Sequence, residues 1–190
     1  EDLQEINSLG FRGEALASIA SVSNLILASK RLKDKHAWKI QAKGREISQP
    51  EPSLLSSGVT VEVRDLYFNT PARRKFLKTE ATEFSHCEET FKRIALSCPN
   101  ISFIFQHNGK IRSQLQTSNL AQRITKLLGS DFEQNSFPIN EKAADLHLYG
   151  AVSLPAYSKS SRNAQYFFIN GRFIRDKLIS HALREAYRDV

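Results

Sequence analysis

Residues 58–66, GVTVEVRDL, constrain the fold more than any other stretch. Val59, Val61 and Val63 fall on one face of an extended chain, and Thr60, Glu62 and Arg64 on the other. That period belongs to a half-buried strand, so the chain contains a sheet with an apolar side. Asn69-Thr70-Pro71 follows. Thr70 can cap and Pro71 suits the first helical position, which predicts a helix over 72–77. A strand feeding a helix start fits a mixed α and β fold. Asn108-Gly109, between apolar runs at 101–106 and 110–115, is the strongest short hairpin signal. Lys43-Gly44 between 37–42 and 45–48 is a second, with Trp38 and Ile40 on its inner face, and Gly171 separates runs at 165–170 and 172–175. Further strands are expected over 24–29 and 146–152. Helices are expected over 2–9, closed by Gly10, then over 14–22, 80–98, 120–128, closed by Gly129, and 177–188. Residues 49–57 and 155–163 are loops. Apolar periodicity lapses at 116–119, which sets a boundary between domains at 1–117 and 118–190. The fold class is α+β.

No run approaches the ~20 apolar residues of a membrane span and no secretory signal opens the chain, so a membrane protein is excluded. A net charge of +7 favours an anionic partner. The chain has no Met and begins with Glu1, so it is expected to be a piece of something longer. Cys87 and Cys98 fit no metal spacing. They fall on the helical stripe Phe84, Cys87, Phe91, Ile94 and Cys98 and are expected to be core thiols in a reducing compartment. No two of the five histidines have metal-ligand spacing.

Two patterns carry possible chemistry. GFRGEAL places Gly10 and Gly13 around Phe11 and Arg12, then opens a helix at Glu14, Ala15 and Leu16. A glycine turn into a helix start aims unpaired backbone N–H groups outward with the positive end of the helix dipole behind them, and Arg12 adds a guanidinium suited to phosphate. The same residues also suit a plain helix stop, turn and restart. The second pattern is a basic stripe, Lys177, His181, Arg184 and Arg188, opposite Leu178, Ala182, Leu183 and Ala186. From residue 151 onward seven Lys or Arg face three acids. Both a solvated helix face and a polyanion surface fit. Arg73, Arg74, Lys75 and Lys78 form a second basic cluster.

GFRGEALASIASVS (10–23), GVTVEVRDLYFNTPARRKFL (58–77), HNGK (107–110) and FFINGRFIRDKLISHALREAY (167–187) occur in the order and approximate spacing of the MutL family of DNA mismatch repair ATPases. The resemblance covers residues 1–190. It implies the C-terminal part of a GHKL ATPase α/β sandwich, including the end of its ATP lid, followed by a ribosomal-protein-like transducer domain with a left-handed βαβ unit. Gly10, Phe11, Arg12, Gly13, Glu14, Ala15 and Leu16 would wrap the triphosphate of ATP, with Glu14 given no catalytic role. A basic groove including Lys177, Arg162, Arg172, Arg175 and Arg184 would hold single- or double-stranded DNA without sequence preference.

The resemblance also implies ATP and Mg2+ as cofactors of the whole protein, which would act as a cytoplasmic, nucleoid-associated homodimer if bacterial. A MutS-like mismatch sensor and a downstream endonuclease and helicase are the implied partners. In this family the water-activating glutamate, the magnesium-holding asparagine and the adenine-reading Asp-x-Gly-x-Gly segment precede GFRGEAL, and a phosphate-reaching lysine follows the second domain. None of these lies among residues 1–190, so this chain alone is expected to bind neither cofactor firmly and not to hydrolyse ATP. Val59 stands where the family commonly has Thr, and Thr60 should point to the opposite face. The alternative class is a nucleotide-independent basic DNA-binding or scaffold module. A topoisomerase-like GHKL protein is disfavoured by NTPARRKFL.

Overall fold

Strand β1 (Asn24–Lys30) is the axis of a five-stranded antiparallel sheet, because an apolar run without proline can pair on both edges. One edge takes β2 (Ala37–Lys43) and the other β5 (Gly58–Arg64). Beyond β2, the short strands β3 (Glu46–Ile47) and β4 (Glu51–Ser53) share its outer edge. The computed structural model describes residues 10, 13–157 and 165–188. It divides into two compact units, Glu1–Glu83 and Phe84–Val190, and mixes helices and sheets throughout. The helix expected over 2–9 lies outside the described residues. No helix among the described residues is long and apolar enough to cross a membrane.

In the first unit the register sets Val59, Val61 and Val63 beside Ser29, Leu27 and Leu25, and those beside Trp38, Ile40 and Ala42. The face is the one the alternation predicts, but its burial is not. Helix α1 (Ala15–Ser21) covers only one end, where Ala20, Leu25 and Ala42 form a core flanked by Ile19 and Leu27. Among the described residues nothing comparable covers the rest. Val59, Val61 and Val63 are therefore 65%, 47% and 44% exposed, and Trp38, expected inside, is 48% exposed. Gly44 turns β2 into β3 at φ +64, the left-handed region that glycine enters without penalty.

After β5, a loop leads to α2 (Pro71–Lys75), with Pro71 at its first position as expected. Thr70 does not cap it. Its backbone (φ −130, ψ 70) departs from the extended capping geometry, and its hydroxyl is buried without a partner.

The second unit contains the body of α3 (Glu80–Ser97), the hairpin β6 (Phe103–His107) with β7 (Lys110–Leu115), α4 (Leu120–Leu128), α5 (Ser130–Gln134) and the hairpin β8 (Ser136–Ala143) with β9 (Leu146–Ser153). The hairpin β10 (Phe167–Ile169) with β11 (Arg172–Ile174) and α6 (Lys177–Ala186) complete it. Asn108 (φ 49) and Gly109 (φ 74) make the expected left-handed hairpin turn, and Asn170 (φ 50) with Gly171 (φ 76) makes another. Helix α3 lays Phe84 and Phe91 against β6. Phe84 stacks on His107 with ring centres 4.1 Å apart, and Phe91 stacks on Phe105 at 4.7 Å. Ala95 and Leu96 complete the buried face. Cys87 and Ile94, expected in the core, are exposed, because the helix turns its 84–91–95 line inward; Cys98 is half-buried.

Arg123, on α4, is 1% exposed and sits on the inner face with Leu120, Ile124 and Leu127. Its guanidinium donates to the carbonyls of Ala95 (3.1 Å), Pro99, Ile101 and Gln116 (2.8 Å each) and to the Ser118 hydroxyl (3.3 Å). It also lies 5.5 Å from the Phe103 ring centre. One side chain thus fastens the end of α3, the start of β6 and the end of β7 to α4. The Ala95 carbonyl is among those an α-helix leaves unpaired at its C-terminus, where positive charge is favoured.

Candidate nucleotide loop and basic surface

In the loop before α1, Gly13 holds φ +67, and among the described residues no atom beyond the chain neighbours lies within 4 Å of where a Cβ would stand on Gly10 or Gly13. Phe11 and Arg12 lie outside the described residues. Glu14 occupies the N-cap position with helical backbone angles (φ −91, ψ −16), and its side chain makes no cap bond. The first helical hydrogen bond, Ser18 N–H to Glu14 C=O at 2.9 Å, leaves the N–H groups of Ala15, Leu16 and Ala17 ahead of any intrahelical acceptor. Gly10, Gly13, Glu14, Ala15 and Leu16 are all exposed. The described part of GFRGEAL therefore offers open space and backbone donors, which fits a phosphate group. Thr60 pairs with Ala28 and faces away from Val59, as its strand position requires.

The described residues contain no group of three or more His, Cys, Asp or Glu side chains that could hold a metal ion.

The basic surface is built on β10–β11 and α6. Asp176 caps α6, its carboxylate accepting from the N–H groups of Leu178 (2.8 Å) and Ile179 (3.0 Å), which fixes where Lys177 begins the helix. Lys177, His181 and Arg184 are exposed, and Arg188 pairs with Glu185 at 2.6 Å. The opposite side differs from the expected one. Leu178 is 76% exposed, and Ala182 and Ala186 are exposed too. Ile179, Leu183 and Tyr187 turn inward, with the Tyr187 hydroxyl donating to the Ser153 carbonyl at 2.5 Å to tie α6 to β9. Arg172 pairs across the hairpin with Ile169, and Arg175 stands 6.0 Å from the Phe173 ring centre. Arg162 lies outside the described residues. In the first unit Arg73, Arg74, Lys75 and Lys78 are exposed, and Arg74 lines a shallow cavity of about 470 Å³ with Lys43, Asp65, Leu66 and Phe68.

The β10–β11 hairpin is seated on α3 through residues the sequence pattern did not single out. The Tyr166 hydroxyl donates to Glu89 at 3.2 Å, Glu89 pairs with Arg93 at 3.0 Å, and Arg93 lies 4.3 Å from the Phe173 ring centre. Burial first, then the Glu89 charge and hydrogen bond, pushes the Tyr166 phenol up to about 12 from its ordinary 10.0. Folding therefore favours the neutral ring. That stabilisation is whole below pH 10 and is lost as pH climbs through about 12. Urea melts at pH 9 and pH 11.5 should show a larger alkaline loss for the wild type than for Tyr166→Phe; equal losses would mean the contact does not hold in solution.

A model of the DNA mismatch repair protein C-terminal domain matches residues 124–190. The chain is 50% identical over 189 residues to the DNA mismatch repair protein MutL of Thiobacillus denitrificans, and 51% identical over 192 residues to that of Herminiimonas arsenicoxydans. Each alignment spans all of this chain but only 32% and 31% of the relative, so the chain covers about a third of their length. Among solved structures, the Aquifex aeolicus MutL ATPase domain complexed with ADP superposes with a TM-score of 0.75 at 32% identity, covering 97% of this chain and 69% of that one. The chain belongs to the MutL family. A solved N-terminal domain of a DNA repair protein, 22% identical with a TM-score of 0.78, shares the fold. The MutL resemblance drawn from the four motifs and the α+β class read from the strand and helix patterns are thereby established, and the ATPase-domain neighbours fit a GHKL ATPase region.

Proposed function

We propose that the full-length protein is an ATP-gated dimeric clamp in DNA mismatch repair, and that this chain carries the end of its ATP lid and most of its transducer domain, divided at 117/118. In this reading Gly10, Phe11, Arg12, Gly13, Glu14, Ala15 and Leu16 hold the triphosphate, and binding closes the lid and brings two chains together. Magnesium, bound outside these residues, would neutralise the phosphates' charge. Closure on DNA would relay a MutS-like sensor's state to an endonuclease and a helicase in the cytoplasm. The observation that carries the reading is Gly13. Its left-handed backbone opens α1 beside open space, in a chain 32% identical to a domain solved with ADP. Calorimetry of the full-length protein with ATP and a non-hydrolysable analogue tests it. Saturable binding is expected, and a folded protein that binds neither overturns the proposal. The family-model match beginning at residue 124 supports the domain division.

DNA binding rests on Lys177, Arg162, Arg172, Arg175 and Arg184 contacting backbone phosphates, which give affinity without reading bases. Lys177→Glu in the full-length protein should weaken binding of single- and double-stranded DNA alike. It should also reduce the slope of log affinity against log salt by about one. Unchanged affinity at low salt would remove Lys177 from the groove.

A further inference from the structure

Helix α1 is only seven residues long, and its C-terminal carbonyls are taken up one by one by donors from elsewhere in the first unit. The Gly44 N–H donates to Ala20 C=O at 3.1 Å, the Asn69 side-chain amide to Ser21 C=O at 2.9 Å, and the Tyr67 N–H to Val22 C=O at 2.7 Å. The Ser23 hydroxyl adds a bond to Ile19 C=O at 2.7 Å. A helix this short is unstable by itself, so these partners decide where it sits.

The segment that supplies two of them is held in a costly shape. Asp65 (φ 52) and Tyr67 (φ 63) both adopt left-handed backbone angles, which are unfavourable for a residue as bulky as tyrosine. Each begins a tight turn, Phe68 N–H to Asp65 C=O at 3.0 Å and Thr70 N–H to Tyr67 C=O at 3.2 Å. The two turns bring the Tyr67 N–H and the Asn69 amide to the end of α1. The β2–β3 turn closes on the same place: a Cβ built on Gly44 would stand 3.6 Å from the Asn69 amide nitrogen and 3.8 Å from the Phe68 ring. Of the donors that the 65–70 segment and the Gly44 turn bring to α1, only Asn69 acts through its side chain, so it can be removed without altering the backbone.

We propose that Asn69 is a positioning residue for the nucleotide loop: by holding the C-terminus of α1 it fixes the helix whose other end carries Gly13 and Glu14. The proposal rests on the reading of GFRGEAL as the phosphate-holding loop. Without the clamp, α1 would occupy its binding-competent position for a smaller fraction of the time, and apparent affinity falls by that fraction. Loss of one such hydrogen bond corresponds to about fivefold.

The test uses full-length wild type, Asn69→Ala and Asn69→Asp, the last keeping the shape while removing the donor. Steady-state ATPase kinetics should show the KM for ATP raised about fivefold in both variants with kcat within about twofold. Amide hydrogen exchange should accelerate across α1 and stay unchanged in β1 and β5. An unchanged KM, or exchange that accelerates equally through the sheet, would overturn the proposal, the latter because Asn69 would then merely support the fold. The exchange arm needs no nucleotide. If wild type binds no ATP, the function proposed above fails, while the clamp is still decided by exchange.

Discussion

Replacing Arg123 by methionine is expected to destabilise the chain by roughly 3–5 kcal/mol, the largest loss of any single substitution considered. The reason is the number of groups stranded. Four carbonyls and a hydroxyl lose a donor that is itself 1% exposed; the Ala95 carbonyl is fully buried and the others partly, and a buried acceptor left unpaired costs about 1–3 kcal/mol before relaxation. Burial pushes the Arg123 pKa below its ordinary value, with Cys98 acting in the other direction, but a guanidinium stays charged at any physiological pH. Arg123→Lys should recover only part of the loss, since one ammonium has three donors and no planar fork. Urea denaturation followed by circular dichroism measures both, with exposed Arg73→Met as a control expected within about 0.5 kcal/mol of wild type. An Arg123→Met protein within 1 kcal/mol of wild type would show that water or a shifted backbone replaces the fork.

The second large effect falls on binding. Gly13→Val in the full-length protein is expected to reduce ATP affinity by at least tenfold while leaving the melting temperature nearly unchanged. A β-branched residue at φ +67 carries a strain of about 1–2 kcal/mol, so the loop would leave the left-handed region and take its N–H groups with it. Among the described residues nothing beyond the chain neighbours lies within 4 Å of the new Cβ, so their packing is untouched. Wild-type affinity in this variant would mean that the turn at Gly13 does not shape the phosphate site.

Much of the fold is legible in the sequence because its signals are local. The Asn108-Gly109 turn, the prolyl start of α2 and the Gly129 stop of α4 depend on a few neighbouring residues, and the elements sit where those signals put them. What fails does so where distant packing decides. The spacing of Cys87 and Ile94 suits a core stripe, but β6 approaches the face bearing Phe84, Phe91 and Ala95. The alternation in β5 fixes which valines share a face; it carries no information on how much of that face α1 covers. Helix α5 and strand β8 drew no reading at all, since Pro138 and the charges Glu141 and Lys142 obscure the alternation of β8.

For the candidate site, GFRGEAL stands out through its glycines and Lys177 through its helical stripe. Asn69 stands out in the sequence only as the residue ahead of the Thr70-Pro71 helix start, because its partner, Ser21, is 48 residues away. Arg123 did leave a trace, as a charge at helical spacing between Leu120 and Leu127. Such a charge on an apolar stripe is the sign of a buried hub.

Among the described residues of the second unit every strand pair joins neighbours in the chain, β6 with β7, β8 with β9 and β10 with β11. Each can find its register within microseconds and without a long search. The carbonyls that Arg123 gathers lie up to 28 residues away, so its site exists only after α3, β6 and β7 have met α4. Arg123 therefore acts late in folding, closing behind hairpins already made. Its replacement should speed unfolding far more than it slows refolding.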